Sequence, residues 1–382
     1  MRRVLVAVTA TAAIVLLAVF LLSSSGQEYR WNIPEDIPSP LVPADNPMSD
    51  VKVELGRWLF YDARLSVNGT MSCSNCHFQR IAFTDARARA LGATGESHPR
   101  GSMSLVNTAY NARLTWANHL LDRLEVQALT PMFGENPVEM GMAGREAEIV
   151  ELLRTDSRYR EYFPEAFSTD EDPFSVLNTV RAIASFVRSI VSFDSPYDRF
   201  LQGDRAALTE SEIRGMTLFF SEQTECFHCH GGFNFTDSST HANSMIESVG
   251  FHNNGLYNIG DHGGYPEGNT GLHDLTGKQR DMGRFKAPTL RNIAMTAPYM
   301  HDGSIATLEE VLEHYMQGGR VIAEGPHSGD GSRNPYKSVF VREFELTDSE
   351  REDLLAFLRA LTDRTVLTDP AYSNPFSNPA SP

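Results

Sequence analysis

The sequence predicts a mainly α-helical protein made of two similar domains. Three observations predict this. All four cysteines fall in two C-x-x-C-H motifs, CSNCH at 73–77 and CFHCH at 226–230. Related stretches precede them, GRWLFYD at 56–62 and GMTLFFS at 215–221, and each reads as the end of an amphipathic helix. The N-terminus has two arginines followed by a long apolar run, which marks an exported chain. Exported proteins often join cysteines as disulfides, but two motifs that use every cysteine leave none for that. They point instead to c-type haem attachment. Two thiols add to the two vinyl groups of one porphyrin, and the adjacent histidine lies under the iron as its proximal ligand. Cys73, Cys76 and His77 therefore hold one haem, and Cys226, Cys229 and His230 a second. His228 occupies a variable position of its motif. The fold class is thus two cytochrome-c-like helical domains, each with one covalent c-type haem.

The elements follow in order. Arg2 and Arg3 precede an apolar run from Val4 to Leu22. Its length suits either a signal peptide or an N-terminal membrane anchor over 1–26, and either places the remainder in the periplasm. Residues 27–49 are Pro-rich and extended, and the first domain spans 50–204. Its last helical stretch, VLNTVRAIASFVRSIVSF, has apolar residues at helical spacing. Asp194, Ser195 and Pro196 interrupt it and mark the boundary. The second domain spans 205–365. It contains a loop region rich in Gly, Asn and His, whose His241, His252, His262 and His273 lack tight ligand spacing and read as loop residues. A helix capped by Thr347 and Glu350 closes it, with Leu354, Leu355, Leu358 and Leu361 on one face. Residues 366–382, rich in Pro and Ser, are expected as a disordered tail. The net charge of −16 excludes nucleic acid as a partner, because phosphate would be repelled. An acidic surface suits a basic protein.

One helix carries a chemical question. In TLEEVLEHYMQGG, residues 307–319, Thr307 and Glu310 form a capping box and Gly318 and Gly319 stop the helix. His314, Tyr315 and Met316 are all potential iron ligands. At about 100° per residue, Leu308, Val311 and Leu312 define a buried face. Tyr315 falls on that face, with His314 and Met316 to either side. Phase alone leaves Tyr315 as either a packed core residue or a ligand.

The chain resembles the bacterial di-haem cytochrome c peroxidases and their relatives of the MauG type, from about 50 to 362. The residues that carry the resemblance are CSNCH with FTD (83–85), LEVQA (124–128), NPVEM (136–140), CFHCH, FKAPTLRNIAMTAPYMHDGS (285–304) and TLEEVLEHY. Tyr315 stands where peroxidases place a Met ligand, so the chain is similar to the Tyr-ligated branch. Within it, RWNIPEDIPSPLVPADNPMS (30–49), GATGESHPRGSMSLVN (92–107), LTWANH (114–119) and ECFHCHGGFNFTDS (225–238) resemble MbnH-type enzymes associated with methanobactin operons.

The resemblance implies roles residue by residue. Glu139 matches the distal glutamate that moves a proton between the peroxide oxygens, with Glu135 its rival in the same loop. Gln127 matches a polar residue of that pocket. Residues 83–97 contain no histidine to block the first iron, and His98 reads as a loop residue. Trp116 matches, within one residue, a tryptophan that relays electrons between the haems; Trp31 and Trp58 have no such match. His230 and Tyr315 would ligate the second iron. A phenolate is a hard anionic donor that favours high-valent iron, whereas Met favours the reduced state. A calcium ion between the haems is implied too, with carbonyl donors at Thr296 and Pro298; Gly101 stands where the family has Asn, and Ser102 or water can compensate. The implied function is a peroxide-dependent oxidoreductase that reaches a bis-Fe(IV) state. It would oxidise a Trp of a periplasmic, MbnP-like partner to kynurenine by long-range electron transfer. The alternatives are a cytochrome c peroxidase that reduces hydrogen peroxide with electrons from a small redox protein, and a di-haem electron carrier or sensor.

Overall fold

The computed structural model describes residues 29–377. The expected leader over 1–26 lies outside them. Among the described residues no helix is long and apolar enough to cross a membrane.

One helix crossing is built twice. In the first domain, α1 (Asp50–Tyr61) is capped by the Ser49 side chain, which accepts the Lys52 N–H. After it come α2 (Leu124–Phe133), α3 (Glu146–Thr155), α4 (Ser157–Ala166), α5 (Val176–Ser189) and α6 (Pro196–Leu201). α1 lies across α5, and Gly56 sits at the contact. A Cβ there would lie 1.9 Å from the Ala182 carbonyl oxygen, so only a glycine lets the backbones approach this far. The second domain opens with α7 (Glu210–Phe219), followed by the short α8 (Phe227–His230), α9 (His273–Thr276), α10 (Leu308–Met316) and α11 (Asp348–Ala360). α7 crosses α11 at Gly215, where a Cβ would lie 1.9 Å from the Asp353 carbonyl oxygen. The sequence echo GRWLFYD and GMTLFFS is therefore this crossing, with Phe60 and Phe219 buried beside each glycine. Strands are few: Phe251–His252 pairs antiparallel with Phe285–Lys286, and Val321–Ile322 with Gly329–Asp330.

The two domains interleave more than a simple linker predicts. Ala117 belongs to the second core and Trp116 packs against it, although both precede the boundary. The expected boundary is itself ordered: Ser195 caps α6 in a capping box with the buried Asp198. Asp198 pairs at 2.9 Å with Arg291 from the second domain, and both are buried. An ion pair out of water holds only while both partners stay, which makes it a staple.

The disordered tail is a correction. Residues 366–377 return to the first domain, where Val366 and Tyr372 fill its core. The Tyr372 hydroxyl donates to the Ser189 carbonyl at 2.8 Å, and the Tyr61 hydroxyl donates to the Tyr372 carbonyl at 2.7 Å. Gln79 reaches the carbonyls of Val366 and Asp369. Pro and Ser dominate the composition of this stretch, yet two well-placed apolar side chains anchor it.

Candidate functional site

Both motif histidines are held alike. His77 Nδ1 lies 2.8 Å from the Phe83 carbonyl, and His230 Nδ1 lies 3.2 Å from the Phe235 carbonyl. Each phenylalanine has positive φ, 58° and 50°, which turns its carbonyl back onto the ring. With Nδ1–H donating to a carbonyl, Nε2 is left as the ligating nitrogen. Burial pushes both imidazoles down, so they are neutral, as a metal ligand must be. Burial also pushes the Cys73 thiol up to about 12 and those of Cys76 and Cys226 up to about 11. Redox cysteines work as accessible thiolates. Thioether attachment to a haem leaves no thiol to ionise, so these half-buried positions fit it.

A cavity, partly open to solvent, lies over the second motif. His230 from α8 and Tyr315 from α10 both line it, with Cys226, Cys229 and apolar walls that include Phe219 and Leu312. An apolar chamber with an imidazole and a phenol on its walls fits a haem held by both. The Tyr315 hydroxyl lies 3.5 Å from Asn254 Nδ2. Burial pushes this phenol up to about 12. A phenolate here thus needs a cation against it, which a ferric haem iron would supply. Helical phase was too coarse for the neighbours. His314 and Met316 are buried and Tyr315, on the cavity wall, is half-buried, because α10 is covered on more than one side. His314 Nε2 bonds the Asn254 carbonyl at 3.1 Å, and burial drives its imidazole down to about 4.

The first motif has Glu139 beside it. This carboxyl is close enough to Cys73 and Cys76 for its charge to oppose ionisation of both thiols. Burial raises it above the ordinary glutamate range. Its loop is pinned by backbone. Ala93 N–H donates to the Glu139 carbonyl at 2.6 Å, Met140 N–H to Pro131, and Val67 N–H to Met140. Glu135, the rival, is exposed. Gln127 on α2 has a buried Oε1 without a hydrogen-bond partner, as expected of a side chain aimed at a bound group. His98 stays in its loop, where its Nδ1 accepts the Arg100 N–H at 3.1 Å.

Trp116 is half-buried against the second core. Its side chain lines the second-haem cavity and a smaller one that also touches Asp85, Gly101, Ser102, Thr296 and Pro298. Its Nε1 donates to the Gly101 carbonyl at 2.9 Å. The expected calcium donors Thr296 and Pro298 thus share a chamber with Asp85, whose buried Oδ2 has no partner. Sequence reasoning missed Asp85, although it sits in the FTD stretch. It also missed Lys286, which lines both cavities and is buried, with its ammonium pushed down to about 7. The only signal was a lysine inside the otherwise uncharged FKAPTL.

The chain is similar to known proteins. Residues 50–206 match the family model of the di-haem cytochrome c peroxidases. The methylamine utilization protein MauG of Methylorubrum extorquens is 33% identical, over 87% of this chain and 83% of its own. The cytochrome-c peroxidase IdrP1 of a Pseudomonas species is also 33% identical, over 85% of this chain and 84% of its own. Among solved structures, a MauG-like protein associated with microbial copper homeostasis is 50% identical with a TM-score of 0.89, covering 91% of this chain and 99% of that one.

Proposed function

This chain belongs to the di-haem cytochrome c peroxidase and MauG family of haem-dependent oxidoreductases, and on that premise we propose that it uses hydrogen peroxide to oxidise a residue of a partner protein. The target in this reading is a tryptophan, converted to kynurenine, on an exported MbnP-like protein. The observation that carries the reading is Tyr315 on the wall of the second cavity with His230. Two haems c, held at His77 and at His230 with Tyr315, would supply peroxide cleavage at the first site and storage of oxidising equivalents across both.

The chain's own residues do the rest. Glu139 takes a proton from the near peroxide oxygen and returns it to the far one. Gln127 orients the bound oxidant through its unpartnered Oε1. Trp116 passes an equivalent between the sites. Tyr315, a hard anionic donor, lets the second site hold that equivalent rather than serve as an electron entry port. Thr296, Pro298 and Asp85 would hold one calcium ion beside Trp116. The work takes place in the periplasm. The similarity to a copper-homeostasis protein makes a small exported protein of that context the first partner to test.

The test is to incubate holoprotein with peroxide and such a partner, then map the partner by mass spectrometry. The kynurenine mass shift at a tryptophan, absent without peroxide, is expected. Peroxide turnover sustained by a reduced cytochrome, with the partner unmodified, would instead favour the plain peroxidase, which the likeness to IdrP1 keeps as the second reading.

A further inference from the structure

We infer that Tyr372, Tyr29 and Trp31 form an escape route that draws unused oxidising equivalents from the first haem site into the N-terminal segment, with Trp31 as the sacrificial end. This rests on the peroxide-using reading above. It concerns what happens when no partner takes the equivalents.

The route starts beside the first proximal histidine. The Phe83 carbonyl holds His77, and the ring of Tyr372 lies 6.4 Å from that of Phe83. Tyr372 is buried, and its hydroxyl donates to the Ser189 carbonyl at 2.8 Å. The Tyr29 phenol lies beside the same Ser189, close enough to Tyr372 for its charge to oppose ionisation of that phenol. Ser189 thus brings two phenols from opposite ends of the chain together. Trp31 follows, with its ring 5.0 Å from that of Tyr29 and nearly perpendicular at 83°. Trp31 is half-buried and packs on the small cluster around Tyr110 and Phe193, outside both haem-bearing cores. The three side chains are therefore readily oxidised groups set in sequence, from a buried start to a partly exposed end.

Trp58 provides the internal contrast. It is more deeply buried in the same domain, but the Arg158 guanidinium sits 3.6 Å from its ring centroid. A cation on the ring face stabilises the neutral indole and opposes the positive charge of its one-electron oxidised form. Trp58 should resist oxidation where Trp31 yields. The chemistry balances as follows. The Trp31 indole exchanges one C–H for C–OH, takes the oxygen from water, and releases two electrons and two protons. These reduce one hydrogen peroxide to two waters as its O–O bond breaks. Damage ends in an extended segment, so neither helix crossing is disturbed.

The experiment treats holoprotein with excess peroxide, without partner or donor, and maps its peptides by mass spectrometry. Trp31 should gain one oxygen before Trp58 does. Tyr29→Phe and Tyr372→Phe, which keep the rings, should each lower Trp31 oxidation several-fold while peroxide is still consumed. Undiminished Trp31 oxidation in those variants would overturn the route. So would oxidation confined to Met140 and Met142, or equal Trp31 oxidation in Glu139→Gln, which would mean direct attack by free peroxide. If peroxide is not consumed at all, the functional reading fails with it; if it is consumed and Trp31 stays intact, only this inference fails.

Discussion

The indole nitrogen of Trp116 donates a 2.9 Å hydrogen bond to the Gly101 carbonyl, which fixes the ring on the wall shared by two cavities. Trp116→Phe keeps the packing and removes both this bond and the readily oxidised ring. Haem content and peroxide binding should persist. Partner oxidation should slow by about tenfold or more, or about 1.4 kcal/mol on the barrier. Single-turnover kinetics with the partner checks this.

Glu139→Gln should slow peroxide cleavage by about 10² to 10⁴-fold, the usual worth of a positioned general base. The base acts deprotonated, and burial raises its carboxyl. Activity should therefore fall as pH drops through that raised value, at higher pH than for an exposed glutamate, and the limb should vanish in the Gln variant. Stability runs the other way. A carboxyl whose folded value is raised stabilises the fold only at low pH and loses that contribution as pH rises. At neutral pH the variant should melt no lower than the parent. Stopped-flow rates against pH, with thermal melts alongside, separate the two.

Gly56→Ala and Gly215→Ala should each destabilise their own domain by about 1–3 kcal/mol, because the added methyl meets a backbone carbonyl that cannot swing aside. Calorimetry of the holoprotein should show a similar loss from each. A silent substitution would contradict the paired crossing.

Truncation after residue 365 should also destabilise the first domain. Val366 and Tyr372 are buried in its core, and removing large buried side chains costs about 2 kcal/mol or more apiece. An unchanged denaturation midpoint would restore the disordered tail.

The motifs and the helices that frame them were legible in the sequence because their signals are local. Two capping boxes, at Thr307 with Glu310 and Thr347 with Glu350, form as their spacing predicts. What stayed hidden depends on distant partners. Tyr372 looks like tail until Ser189 is beside it. Burial of His314 and Met316 follows from what covers α10, not from the helix's own period. Asp85 and Lys286 become notable only when Thr296 and Trp116 arrive from elsewhere in the chain. Tyr315 was the intermediate case: its phase put it inward, and only the cavity it shares with His230 gives that direction a chemical meaning.

The most direct test of the account is the state of both irons after peroxide is added to the diferric protein without a donor, read by Mössbauer and near-infrared spectroscopy. The account predicts that both irons stand one oxidation level above ferric. It also predicts that Tyr315→Met, with both haems still attached, loses this at the second iron. A second iron that stays ferric in the parent, or a variant that behaves like it, would contradict the role given to Tyr315.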